Sequence, residues 1–84
     1  MKFYETPARE ILKQVAEEFD ISVQDLLSKN RERRYSWPRG VAYLRIYCET
    51  SMSYPQIGRL MNRDHTTIIY GVKATRQRIK EGKI

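Results

Sequence analysis

The 84-residue sequence contains a single cysteine and a single histidine. One cysteine, Cys48, excludes an intramolecular disulfide. Its expected place is as a small filler of the core. A lone histidine far from a lone cysteine gives no nucleophile–base pair. None of GxxxxGK[ST], GxGxxG or HExxH occurs. The carboxylates fall on helix faces or at helix starts, where solvation and capping account for them. Asp64 and His65 alone would leave a metal short of ligands. The expectation is a protein that is not an enzyme and that uses no metal, cofactor or small-molecule substrate. Long apolar runs are also missing: no stretch approaches the roughly 18 residues of a membrane span. The opening MKFYETPARE lacks the apolar core of a secretion signal. A cytoplasmic protein without a membrane partner is therefore expected. Sustained apolar/polar alternation and Asn-Gly or Asp-Gly hairpin turns are absent too, which leaves an all-α chain. Internal repeats and low-complexity segments are lacking as well. A chain of this length forms one domain, residues 1–84, with a modest core.

Charge, by contrast, is plentiful and unevenly placed. The net charge is +6. Residues 1–28 carry three bases (Lys2, Arg9, Lys13) and six acids, whereas residues 29–84 carry thirteen bases and four acids. A basic two-thirds of a small domain is the electrostatic footprint of a nucleic-acid binder. A solvated basic face without a partner is the plainer explanation.

Taken in order, Thr6-Pro7 predicts a helix start, Thr as N-cap and Pro at the first helical position. Ala8, Ile11, Leu12, Val15, Ala16 and Phe19 give its apolar stripe, ending near Asp20. Glu10, Glu17 and Glu18 make this a scaffold helix facing away from DNA. Ser22 and Asp25 form a capping box for a short helix through Val23, Leu26 and Leu27. Lys29 to Arg34 then read as a loop or a fraying helix end. Pro38, with Ser36 nearby as a cap, predicts the start of a third helix. There Val41, Leu44 and Cys48 give one apolar row, which Ala42 and Ile46 widen. So wide a stripe predicts a central helix touching several others. Tyr43 and Tyr47 fall on its flank. Trp37 is expected as a core plug, with stacking on the basic loop as the alternative.

The stretch SYPQIGRLMNRDHTTII, residues 53–69, reads as helix, tight turn, helix. Ser53 and Gln56 form a second capping box. Ile57, Leu60 and Met61 share one helical face. Asn62 tolerates the left-handed conformation that ends a helix. Asp64 is placed to cap a last helix from His65 to about Glu81, stopped by Gly82 and buried through Ile68, Ile69, Val72 and Ile79. His65, Thr66 and Thr67 then occupy its first turn. In a helix-turn-helix this turn of the second helix meets base edges in the major groove.

Four pieces in order and spacing resemble the C-terminal DNA-binding domain, domain IV, of the bacterial replication initiator DnaA, over roughly Ile11 to Ile79. They are Val15-Ala16 with Asp25-Leu26-Leu27-Ser28-Lys29; the basic loop Lys29 to Arg34 with Pro38-Arg39; Ser53-Tyr54-Pro55-Gln56-Ile57-Gly58; and Arg63-Asp64-His65-Thr66-Thr67-Ile68. The last is the most specific. The resemblance implies an all-α bundle of about five helices of the Trp-repressor-like kind. It implies that Asp64, His65, Thr66 and Thr67 read bases and nearby phosphates. It also implies that a loop arginine enters the minor groove, with Arg31 first by spacing, then Arg33, and Arg34 beside them. Lys29, Arg39, Tyr54, Pro55, Arg63 and Lys73 map to backbone-contacting positions. Asp64 is expected both to cap its helix and to read a base.

The chain departs from the family's pattern in three places. Asn62 alone stands where two glycines are common, Gly40 where glutamine usually follows Arg39, and Tyr47 where the central helix often has lysine. The expected function is sequence-specific binding of double-stranded DNA, as a monomer at sites like the family's asymmetric box. The expected setting is the nucleoid, in control of transcription or replication. A protein-interaction module that kept the fold is one alternative. An excised domain of a full-length initiator is the other, against which Met1 and the short N-terminus count.

Overall fold

The computed structural model describes residues 7–29 and 32–82. Five helices follow one another: α1 (Ala8–Glu18), α2 (Val23–Leu27), α3 (Arg33–Glu49), α4 (Tyr54–Met61) and α5 (His65–Lys80). No strand occurs among the described residues. α3 is the axis of the bundle and is touched by all four other helices, as its broad apolar face predicts. Ile11, Leu12, Val15 and Ala16 of α1 meet Leu26 of α2, Ala42, Tyr43 and Ile46 of α3, Ile57 and Met61 of α4, and Ile68 and Val72 of α5 in one core.

The helix ends follow local chemistry. Pro7 occupies the N-cap position of α1; the expected Thr6 cap lies outside the described residues. α1 stops at Glu18 because Asp20 turns left-handed (φ 57°). The Ile21 N–H then reaches the Ala16 carbonyl at 2.9 Å and the Asp20 N–H reaches Glu17 at 3.2 Å, the pair of bonds of a Schellman stop. Both capping boxes form, Ser22 with Asp25 and Ser53 with Gln56.

α3 departs from expectation. It begins at Arg33, not at Pro38, so Arg33 and Arg34 are helical and Pro38 and Ser36 lie inside the helix. Pro38 forgoes one backbone hydrogen bond, toward Arg34 in the first turn. What holds the extra turn is Tyr35. It is buried, with the guanidinium carbons of Arg34 and Arg39 at 4.9 and 5.5 Å from its ring centroid. Cys48 is exposed, not a core filler. Tyr43 is buried instead of lying on a flank, because Gly71 of α5 leaves room for it: a Cβ there would lie 2.4 Å from Tyr43 Cδ2. Trp37 is half-buried outside the core. It stacks on Arg78 of α5, whose guanidinium carbon lies 4.4 Å from the ring centroid. Ile79 is exposed and Thr75 takes the buried place on α5, close against Gly40 of α3.

Candidate nucleic-acid interface

α4 and α5 are joined by a turn of three residues, 62–64, and its shape is set by two of them. Asn62 adopts φ 59°, ψ 45°, and the Arg63 N–H folds back onto the Gly58 carbonyl at 2.8 Å. The turn backbone comes so close that a Cβ on Gly58 would lie 2.6 Å from the Arg63 carbonyl oxygen. One left-handed Asn thus closes a turn for which the family often uses two glycines. Ile68 and Val72 anchor α5 in the core. The helical period then turns its first residues outward. Asp64, His65, Thr66 and Thr67 are all exposed.

Asp64 sits at the N-cap position in extended conformation, and its carbonyl accepts from Thr67 and Ile68 at 3.0 and 3.3 Å. Its side chain makes no capping hydrogen bond, so the expected double role of this carboxylate is not formed. One carboxylate oxygen instead lies 3.4 Å from His65 Nδ1, with both side chains more than half exposed. The first turn therefore presents a carboxylate, an imidazole and two hydroxyls beside backbone N–H groups at the positive end of a helix dipole. Those groups can accept from cytosine N4, donate to or accept from other base edges, and meet a thymine methyl or a phosphate.

The fold brings the distant basic segment to this turn. Lys29, Asn62, Arg63 and Asp64, with Arg39 beneath, line a recess of about 260 Å³. Arg63 is half-buried. It donates to the Ser28 carbonyl across the fold and to the Asn62 carbonyl at 3.2 Å, so the two segments are tied together. Lys29 is exposed at the recess, and Arg33 and Arg34 are exposed on the first turn of α3. Arg34 lies 3.5 Å from Glu32. Arg31, the first expected minor-groove residue, lies outside the described residues. Lys73 is exposed two turns along α5 from His65.

Arg39 requires a correction. It is 7% exposed and points inward. Nε donates to the Leu26 carbonyl at 3.0 Å. Nη2 donates to Asp25 O at 2.8 Å, Ser28 O at 2.7 Å and Ser28 Oγ at 3.1 Å. Burial and the neighbouring Arg63 charge hold its pKa below the ordinary arginine value. A guanidinium engaged in this way closes the end of α2 onto α3 and exposes little of itself to a phosphate. Its sequence context, a Pro-Arg pair in a basic region, carries no signal that separates the two roles.

At the other edge, Pro55 is exposed at the start of α4 and Tyr54 is half-buried. The Tyr54 ring stacks on Tyr47, centroids 4.4 Å apart and planes within 5°. A hydrogen bond with the Tyr47 side chain, then burial, raises the Tyr54 pKa. Tyr47, the residue in the family's lysine position, thus braces Tyr54. Arg76 of α5 lies beside this edge, Nη2 at 3.9 Å from Cys48 Sγ. The sequence places Tyr47 and Tyr54 on separate helices, so their pairing is visible only in three dimensions.

Among the described residues no helix is long and apolar enough to cross a membrane. Nor, among them, do three or more His, Cys, Asp or Glu gather as a metal site would need.

Comparison with known proteins agrees with this geometry. The bacterial dnaA protein helix-turn-helix family matches residues 8–74. The chromosomal replication initiator protein DnaA of Nostoc sp. (strain PCC 7120) is 33% identical over 84 residues, covering 99% of this chain and 18% of that protein. The protein of the same name from Nostoc punctiforme is 44% identical over 61 residues, 71% of this chain and 13% of that one. The one from Magnetococcus marinus is 45% identical over 64 residues, 75% and 14%. The chain thus spans less than a fifth of the length of these relatives. The matched segment contains α4, the left-handed turn and the exposed first turn of α5, and the chain belongs to the bacterial DnaA helix-turn-helix family of DNA-binding domains.

Proposed function

We propose that this domain binds double-stranded DNA in a sequence-specific manner and acts by binding alone, as a monomer, in control of replication or transcription. One observation carries the reading. The first turn of the second helix in a helix-turn-helix exposes Asp64, His65, Thr66 and Thr67 together, and the Asp64 carboxylate is not spent on capping. Readout of base edges needs short polar groups in that position. Lys29, Arg33, Arg34 and Lys73 supply exposed positive charge on either side for phosphates. The surface is asymmetric, which suits a non-palindromic site related to the box that DnaA-type domains recognise. The relatives named as replication initiators support the link to replication.

Selection from a random duplex library tests the proposal, with the same protein titrated on single strands. The expected result is an enriched, non-palindromic motif and weaker binding to single strands. A selected pool with no enriched motif, or equal affinity for single strands, would refute it.

A further inference from the structure

Tyr70 stands apart from the other tyrosines. Tyr35 is buried among Arg34 and Arg39, Tyr43 is in the core, and Tyr47 and Tyr54 stack on each other. Tyr70 alone among the described tyrosines has no ring or hydrogen-bond partner, and it is 74% exposed. It lies on α5 four residues after Thr66, which puts it on the same side of the helix one turn on. At 1.5 Å per residue that is about 6 Å along the axis, the rise of roughly two base steps. Gly71 and Ala74 follow it on the wall of a groove of about 420 Å³ between α3 and α5, which opens beside Thr67. Tyr70 lines the same groove and keeps most of its surface exposed.

We propose that Tyr70 is a further specificity-determining residue, whose ring packs on the C5-methyl of a thymine about two base pairs beyond the bases met by His65 and Thr66. This rests on the duplex-binding function proposed above. The phenol ring offers a broad apolar face and little conformational entropy to lose, and in the major groove the thymine methyl is the one apolar feature of the base edges. A lone exposed aromatic elsewhere on the surface would carry no such meaning. Here it stands on the helix that enters the groove, in register with the reading residues.

The test compares selected-site motifs for the wild type, Tyr70→Phe and Tyr70→Ala. All three should fold alike in thermal melts, because the side chain is exposed. The expected result is a thymine preference at one flanking position that survives in Tyr70→Phe and disappears in Tyr70→Ala. Replacing that thymine by deoxyuridine, which lacks only the methyl, should then weaken wild-type binding about fourfold. That is the ~0.8 kcal/mol of one buried methyl-sized group. Binding by Tyr70→Ala should be indifferent to the replacement. An identical motif for wild type and Tyr70→Ala overturns this assignment and leaves duplex binding standing. Loss of the preference in Tyr70→Phe as well would make the contact the hydroxyl's, and also overturns it. A wild type with no motif at all overturns both proposals.

Discussion

Replacing Arg39 with methionine separates two uses of an arginine that the sequence cannot tell apart. Methionine keeps most of the alkyl stem and removes the guanidinium. The carbonyls of Asp25, Leu26 and Ser28 and the Ser28 hydroxyl then lose this donor, although Arg63 still donates to the Ser28 carbonyl and the Ser28 hydroxyl to that of Asp25. A hydrogen bond from a charged donor is worth about 1.5–3 kcal/mol net. The four bonds share one group and are not additive. Removing the guanidinium also relieves the cost of its burial, and Asp25 and Ser28, half-buried, can be rehydrated in part. A loss of about 2–4 kcal/mol follows, toward the range seen when one partner of a buried charged contact is removed. Against a total stability of about 4–13 kcal/mol for a domain of this size, this is a large fraction. At about 4–8 °C per kcal/mol, the melting temperature should fall by about 10–30 °C. Urea unfolding followed by circular dichroism measures the free energy directly. DNA titration at low temperature, where the variant is still folded, measures the rest. If Arg39 is framework, the slope of log K against log salt should be unchanged. A variant of wild-type stability whose slope drops by about one unit, the loss of a single phosphate contact, would refute the reasoning and restore Arg39 to the DNA surface.

The interface and the acid limb of stability give three more expectations. His65→Ala should weaken binding to the preferred duplex by about 1–3 kcal/mol, with little effect on random duplex; equal weakening on both would show that His65 reads no base. The double change Lys29→Ala, Lys73→Ala should lower the salt slope by about two units for all sequences alike, and a selected motif altered by these changes would argue against pure phosphate contact. Asp25 has its pKa lowered by hydrogen bonds from the Ser22 backbone and side chain. A depressed carboxylate pKa stabilises the fold above the unfolded value near 3.9 and loses that contribution as pH falls through the folded value. Melts across the acid range should therefore show a steeper loss for the wild type than for Asp25→Asn.

The parts of this fold that can be read in the sequence are those whose physics spans a few residues. A capping box needs only a hydroxyl and an acceptor three positions on, so Ser22 with Asp25 and Ser53 with Gln56 mark α2 and α4 correctly. Asn62 marks the turn for the same reason: its left-handed tolerance is its own. The exposed set Asp64 to Thr67 follows from Ile68 and Val72, because burial of two residues at helical spacing turns the preceding ones outward. The start of α3 is illegible on those terms. Proline favours a first turn, and Pro38 points there. What carries the helix back to Arg33 is the burial of Tyr35, which depends on Arg39 arriving from one turn later. Arg39 in turn is fixed by carbonyls thirteen and fourteen residues earlier in the chain. No local pattern contains that information.

The same non-local logic explains which side of α3 faces the core. Apolar scale alone ranks Cys48 inside and puts Tyr43 on a flank. The crossing of α3 with α5 decides otherwise, and two glycines set that crossing. Gly71 makes the space that Tyr43 fills, and a Cβ on Gly40 would lie 2.3 Å from Thr75 Oγ1. Thr75 is buried against this point, and Trp37 with Arg78 closes the crossing on one flank. The replacement of the family's usual glutamine by Gly40 thus has a partner on the other helix. A side chain at position 40 would displace the Thr75 hydroxyl, whereas the Gly71 carbonyl and Thr75 Cβ stand at 3.7 Å, ordinary contact distance. The glycine that looks least functional in the sequence therefore lets Thr75 seat its hydroxyl where α3 and α5 meet.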